Sequence, residues 1–258
     1  MSRIRRCLMG LFLSLFVLLP SALLSHQPED DGFIDLFNGR DFEGWIAPPK
    51  GEDGWHGPWT IENGYIHGDV RHATGGDQSL WTTRKFKDFV LEVEWRIWET
   101  PFENSVPVIQ PNGEQKKDIQ GKPMVERVAE ADSGIYLRGS SKSQVNIWCW
   151  PVGSGEVYGY RTDGRMSAAV RAGVTPKKKA DHSIGEWNRF VITMVGDRLT
   201  VELNGEKVID HAELPGIPKE GNLALQHHGG YNSKTGRFTG PPSQVDFRKV
   251  RIKELPSK

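Results

Sequence analysis

Several separate stretches of the chain alternate apolar and polar side chains with period two. Successive strand residues point to opposite faces of a pleated sheet, so a hydrophobic set at every second position is the buried one. From Val90 to Ile97 that set is Leu91, Val93, Trp95 and Ile97, with Glu92, Glu94 and Arg96 on the other face. From Gln144 to Trp150 it is Val145, Ile147 and Cys149, which leaves Gln144, Asn146, Trp148 and Trp150 together on the opposite side. Tyr136 and Arg138 share a face in the same way, and from Asn222 to His228 the inward positions are Leu223, Leu225 and His227, with Gln226 and His228 turned out. A solvated antiparallel face is polar by default, and that is the plain alternative. Such a face is usually rich in Lys and Thr, whereas this one carries Trp, Tyr, Arg, Gln and His. If the stretches are neighbouring strands, they form one concave floor suited to a hydroxyl-rich ring.

Strands and turns account for most of the chain. Asn63-Gly64, Gly196-Asp197 and Asn204-Gly205 are turn signals between short apolar runs, and Phe190–Val195, Leu199–Leu203 and Lys207–Ile209 read as a three-strand meander. Val245 to Ile252 supplies a closing strand. Short strands with frequent turns and no alternating helices predict an all-β sandwich or jelly roll. Thr100 to Ala131 and Gly153 to Gly185 resist strand assignment. Loops of that length are usually functional, so they are expected to wall the cleft, with Tyr160 and Arg161 among the contact residues.

The 33 basic and 33 acidic residues are interspersed, which argues against a nucleic-acid or anionic-membrane surface and for a neutral partner. Residues 1–25 have the layout of an export signal: Arg3, Arg5 and Arg6, an apolar run from Leu8 to Leu19, then Ser21, Ala22 and Ser25. The expectation is a periplasmic or secreted protein with one domain over residues 26–258 and no membrane attachment beyond the signal. Cys7 lies in that leader, so Cys149 is left without an intramolecular partner and reads as a small buried hydrophobe.

Phe33-Ile-Asp-Leu-Phe-Asn-Gly-Arg-Asp-Phe-Glu-Gly-Trp45, Ser133-Gly-Ile-Tyr-Leu-Arg-Gly139, Gly185-Glu-Trp-Asn188, Leu203-Asn-Gly205, Leu225-Gln-His-His-Gly229 and Val245-Asp-Phe-Arg248 occur in one order along the chain. As a set they resemble the 3-keto-disaccharide hydrolase domain family, also called DUF1080. The resemblance implies a concanavalin A-like jelly-roll sandwich of two antiparallel sheets. It also implies action on 3-keto-glycosides by 1,2-elimination, by hydration of the resulting glucal, or by net hydrolysis. The sequence departs from the family at Ser143-Gln-Val-Asn-Ile-Trp-Cys-Trp150, where Gln144 stands at a common glutamate position and the acidic end is lost near Cys149.

A ketone at C3 acidifies the C2 proton, so cleavage needs a base near C2, donors at the enolate oxygen and an acid near the departing C1 oxygen. His228 is the first candidate base, with Glu94 the alternative. Arg138 is the candidate for the oxyanion, Gln226, Asn146 and Gln144 for the hydroxyls, and Tyr136, Trp148 and Trp150 for ring contacts. A cross-strand ion pair is the competing role for Glu94 and Arg138. Glu92, Glu94 and Glu99 suggest a two-carboxylate glucanase, but that motif needs an acid where Ile97 stands. No cofactor is demanded. A divalent ion is left open, through His67, Asp69 and His72 or through His228 with Glu94. The alternative of another class is a non-catalytic carbohydrate-binding module. Either way the partner is a small-molecule or oligosaccharide ligand.

Overall fold

The computed structural model describes residues 32–256; the expected export signal, residues 1–25, lies outside the described residues. In chain order the strands are β1 (Ile34–Asp35), β2 (Trp45–Ile46), β3 (Trp59–Glu62), β4 (Tyr65–Gly68), β5 (Leu80–Phe86), β6 (Phe89–Ile97), β7 (Phe102–Pro107), β8 (Val125–Glu130), β9 (Asp132–Leu137) and β10 (Ser140–Trp148). Two short helices, α1 (Tyr158–Arg161) and α2 (Ala168–Gly173), precede β11 (Asn188–Val195), β12 (Arg198–Leu203), β13 (Glu206–Glu213), β14 (Gly221–Leu225), β15 (Tyr231–Asn232), β16 (Arg237–Phe238) and β17 (Val245–Glu254).

Two antiparallel sheets make the jelly-roll sandwich that the strand pattern predicts. The larger runs β13-β12-β11-β6-β17-β4-β3, with β1 also paired to β17, and the smaller runs β10-β9-β14-β5-β2. Their inner faces meet in one core. β6 contributes Leu91, Val93, Trp95 and Ile97, and the facing sheet contributes Ile135, Leu137, Val145, Ile147, Leu223 and Leu225. The meander β11 to β13 forms as expected, because Asn204 at φ 54° and Gly205 at φ 81° supply the left-handed pair that a two-residue hairpin turn needs.

Two expectations need correction. The strand carrying Glu92, Glu94 and Arg96 belongs to the larger sheet, whereas Tyr136, Gln144, Asn146, Trp148 and Gln226 belong to the smaller one or its immediate continuation. Period two reports which side of a strand is buried, not which sheet the strand joins, so the outward rows face away from each other. The segment Thr100 to Ala131 is also no irregular loop: β7 and β8 pair over six residues each. Gly153 to Gly185 does lack strands and carries α1 and α2. Its first residues cover the open edge of β10, where the Asn146 amide donates to the Glu156 carbonyl and the Gly155 amide to the Asn146 carbonyl.

Candidate functional site

The outward face of the smaller sheet gathers polar and aromatic side chains around β9. Ala224 of β14 sits in register with both Tyr136 and Trp81, so the small side chain lets the two rings lie over it, 5.5 Å apart. On the other side of Tyr136, the Gln144 amide donates to the Gln226 side-chain oxygen and to the Ser133 carbonyl. Gly134 makes this arrangement fit, since a Cβ there would lie 2.4 Å from Gln144 Nε2. Burial holds the Tyr136 phenol above its ordinary range, with a hydrogen bond to Gln226 pulling the other way.

At the upper end of the floor stand Asp132 and His228. The Asp132 carboxyl is pushed up to about 7, first by burial and further by Glu130, with His228 opposing. His228 is anchored through its backbone amide to Ser243 Oγ at 2.6 Å, and its Nδ1 lies 2.7 Å from the Pro241 carbonyl. A carbonyl only accepts, so Nδ1 carries the proton and Nε2 keeps the basic lone pair. Glu130, fully buried, accepts from Trp150 Nε1 and from Asn104 Nδ2. Sequence reasoning missed Asp132 and Glu130. Asp132 was within reach, because it is in phase with Gly134 and Tyr136 on the same strand; Glu130 depends on β8, which the sequence did not reveal.

The expected tryptophans cover each other. Trp148 and Trp150 stack at 4.1 Å and 1°, Tyr158 meets both edge-on, and Ile109 and Val152 close over Trp148. Trp150 is thus the partly accessible wall and Trp148 its backing. His227 is half-buried, and desolvation takes its imidazole down to about 4.

Four expected contacts lie off this floor. Arg138 occupies the β9–β10 turn at φ 51°, and its buried guanidinium donates to the Gly196 and Pro218 carbonyls and to Asp88. Glu94 faces outward on the larger sheet and accepts from Arg248 Nε at 2.6 Å and Lys249 Nζ at 2.7 Å. Burial alone would raise its carboxyl, but these two cations hold it below the usual range. Tyr160 turns its ring into the core and donates to the Pro215 carbonyl. Arg161 is tied to Glu156, itself buried and pushed up to about 7 despite that partner. Asn146 remains on the outward face, 3% exposed.

The three residues considered for a metal are separately engaged: His67 with Asp246, Asp69 with Arg71, and His72 with Asp53. Among the described residues no three His, Cys, Asp or Glu side chains converge as a metal-binding group, so this donor set does not fit a divalent ion.

The sequence profile of the 3-keto-alpha-glucoside-1,2-lyase-like domain matches residues 32–253. The chain belongs to that family. A Bacteroides thetaiotaomicron protein named 3-keto-disaccharide hydrolase is 40% identical over 188 residues, covering 70% of this chain and 59% of that relative. The family member described here therefore spans about three fifths of that relative's length. Two crystal structures of Parabacteroides distasonis ATCC 8503 proteins that carry glycosyl hydrolase names superpose with TM-scores of 0.53 and 0.51. They are 22% and 20% identical, each covers 87% of this chain, and the shares of their own chains are 84% and 94%. At that identity the likeness concerns the fold.

Proposed function

We propose that this family member cleaves 3-keto-glycosides on the outward face of its smaller sheet by removing the C2 proton and expelling the C1 substituent. The observation that carries the reading is the pairing of Asp132, its carboxyl raised to about 7, with the Nε2 lone pair of His228 on one floor. His228 Nε2 takes the C2 proton, and the electron pair moves to the C3 oxygen. Tyr136 Oη and the Gln226 amide are neutral donors suited to that developing charge. Collapse of the enolate restores the C3 ketone, forms the C1–C2 double bond and breaks the bond from C1 to the aglycone oxygen. Asp132, still carrying its proton near neutrality, protonates that oxygen. Addition of water to the glucal would complete net hydrolysis. Gln144 positions Gln226, and Trp81 with Tyr136 offers the ring surface. We include export in this reading, on the strength of the pattern in residues 1–25.

The test compares a panel of 3-keto-glucosides with their unoxidised parents, with and without a chelator, following aglycone release and the ultraviolet absorbance of an enone product. Release from the keto sugars alone is expected, with His228→Gln lowering kcat by about 10²-fold or more. Sugar binding without release from either set would overturn the reading in favour of a binding module.

A further inference from the structure

Arginine is a pairing residue in this chain. Among the described residues every arginine apart from Arg40 and Arg237 forms an ion pair with a carboxylate. Arg40 is exposed, and its guanidinium has neither an ion pair nor a hydrogen bond among those residues. It borders a cavity of about 370 Å³ at the β3 edge of the larger sheet, a volume within the range of about 300–1,000 Å³ that small-molecule sites occupy.

Two loops and one strand wall this cavity. Phe42 and Ile61 give it an apolar back that packs on the core. The exposed Lys50 ammonium and Thr60 Oγ1 stand in the wall and, like Arg40, have no partner among the described residues. His56 meets Phe42 edge-on at 5.1 Å, and its Nδ1 lies 2.8 Å from the Pro48 carbonyl. A carbonyl only accepts, so Nδ1 carries the proton and Nε2 keeps its lone pair for a hydroxyl. Gly54 adds backbone alone. The one carboxylate of the wall, Asp41, is held in its own turn, where Oδ1 accepts from Asn38 Nδ2 at 2.7 Å and from the Glu43 amide at 3.0 Å. Two cations against that carboxylate leave the cavity electropositive. A carboxylate ligand would present two oxygens in one plane, whereas a phosphate or sulfate ester presents three in a tetrahedron. Donors entering from three segments, one of them a guanidinium that binds two oxygens at once, suit the tetrahedral group.

We propose that this cavity is a second ligand site, separate from the polar floor, for the phosphate or sulfate monoester of a single-ring compound such as a hexose. Arg40 and Lys50 neutralise the ester, Thr60 Oγ1 donates to it, His56 Nε2 accepts from a ring hydroxyl, and the ring lies against Phe42 and Ile61. The proposal does not rest on the reading of the floor, with which the cavity shares no residue. Calorimetric titration of the full chain with glucose 6-phosphate and glucose 6-sulfate is expected to saturate, and the tighter of the two names the ester the site is built for. Glucose, glucuronate and inorganic phosphate each lack one part of the ligand and should bind at least about tenfold more weakly. Arg40→Gln and Lys50→Gln, at exposed positions where folding is not at stake, should each weaken the ester about tenfold or more. Lys85→Gln, exposed on β5 and outside the cavity, should leave its affinity unchanged. Saturating ester should not slow turnover of a 3-keto-glucoside. No saturation by either ester, equal affinity for any of the three partial ligands, wild-type affinity in Arg40→Gln, an equal loss in Lys85→Gln, or competition with the 3-keto-glucoside would each overturn the proposal.

Discussion

At Arg138 the backbone takes a left-handed φ of 51°, and this rotation decides what the side chain does. Strand periodicity would place it beside Tyr136 on the outward face; the turn instead drives the guanidinium to Asp88 and two carbonyls. A buried charge with one partner removed is strongly destabilising. Arg138→Met is therefore expected to lower stability by about 3–5 kcal/mol in chemical denaturation, while the folded variant keeps its turnover. Glu94→Gln tests the opposite sheet. Its partners Arg248 and Lys249 are 37% and 67% exposed, so the loss should stay within about 1 kcal/mol and activity should be unchanged. The alternation expected Tyr136, Gln144 and Gln226 to share one face, and hydrogen bonds of Gln226 with both of the others bring them together there. The alternation failed at Arg138 and Glu94 because a turn conformation and sheet membership are properties of several residues together, and neither is written at the position itself.

Elements show why the motif Ser133 to Gly139 has its composition. Ser133 Oγ donates to the Gln226 carbonyl, Gly134 leaves space for Gln144, Ile135 and Leu137 enter the core, and Tyr136 builds the floor. Strand β9 is thus a spacer that sets β10 and β14 at the distance their amides require. Gly134→Ala is expected to displace Gln144 from Gln226 and to cost about 1–3 kcal/mol, the range for overpacking a close-packed site. The accompanying kinetic signature is a raised KM with a smaller change in kcat, measured on a 3-keto-glucoside. Asn-Gly turns and alternating strands were legible because each is a local rule. The β7–β8 hairpin was not, since Phe102–Pro107 and Val125–Glu130 are strands of mixed composition, exposed at six of their twelve positions and separated by a long connection, and pairing rather than burial defines them.

For the whole molecule, desolvated titratable groups make folding stability depend on pH with opposing signs. Asp132 and Glu156 have folded values near 7, above their unfolded values of about 4, so the native state binds more protons than the unfolded chain between about pH 4 and 7. Each lowers stability as pH rises through that window. His227 falls to about 4 from about 6.5, so the native state binds fewer protons between those values, and it raises stability as pH rises. The variants isolate the components. Asp132→Asn removes a negative contribution and should make the slope of unfolding free energy against pH more positive; His227→Asn removes a positive one and should make it more negative. Each change is bounded by about 1.4 kcal/mol per pH unit, the value of one whole proton. Urea denaturation across this range checks both signs. A slope that stays the same or becomes more negative in Asp132→Asn would show that Asp132 is not held neutral in the fold, and would remove the acid from the proposed elimination.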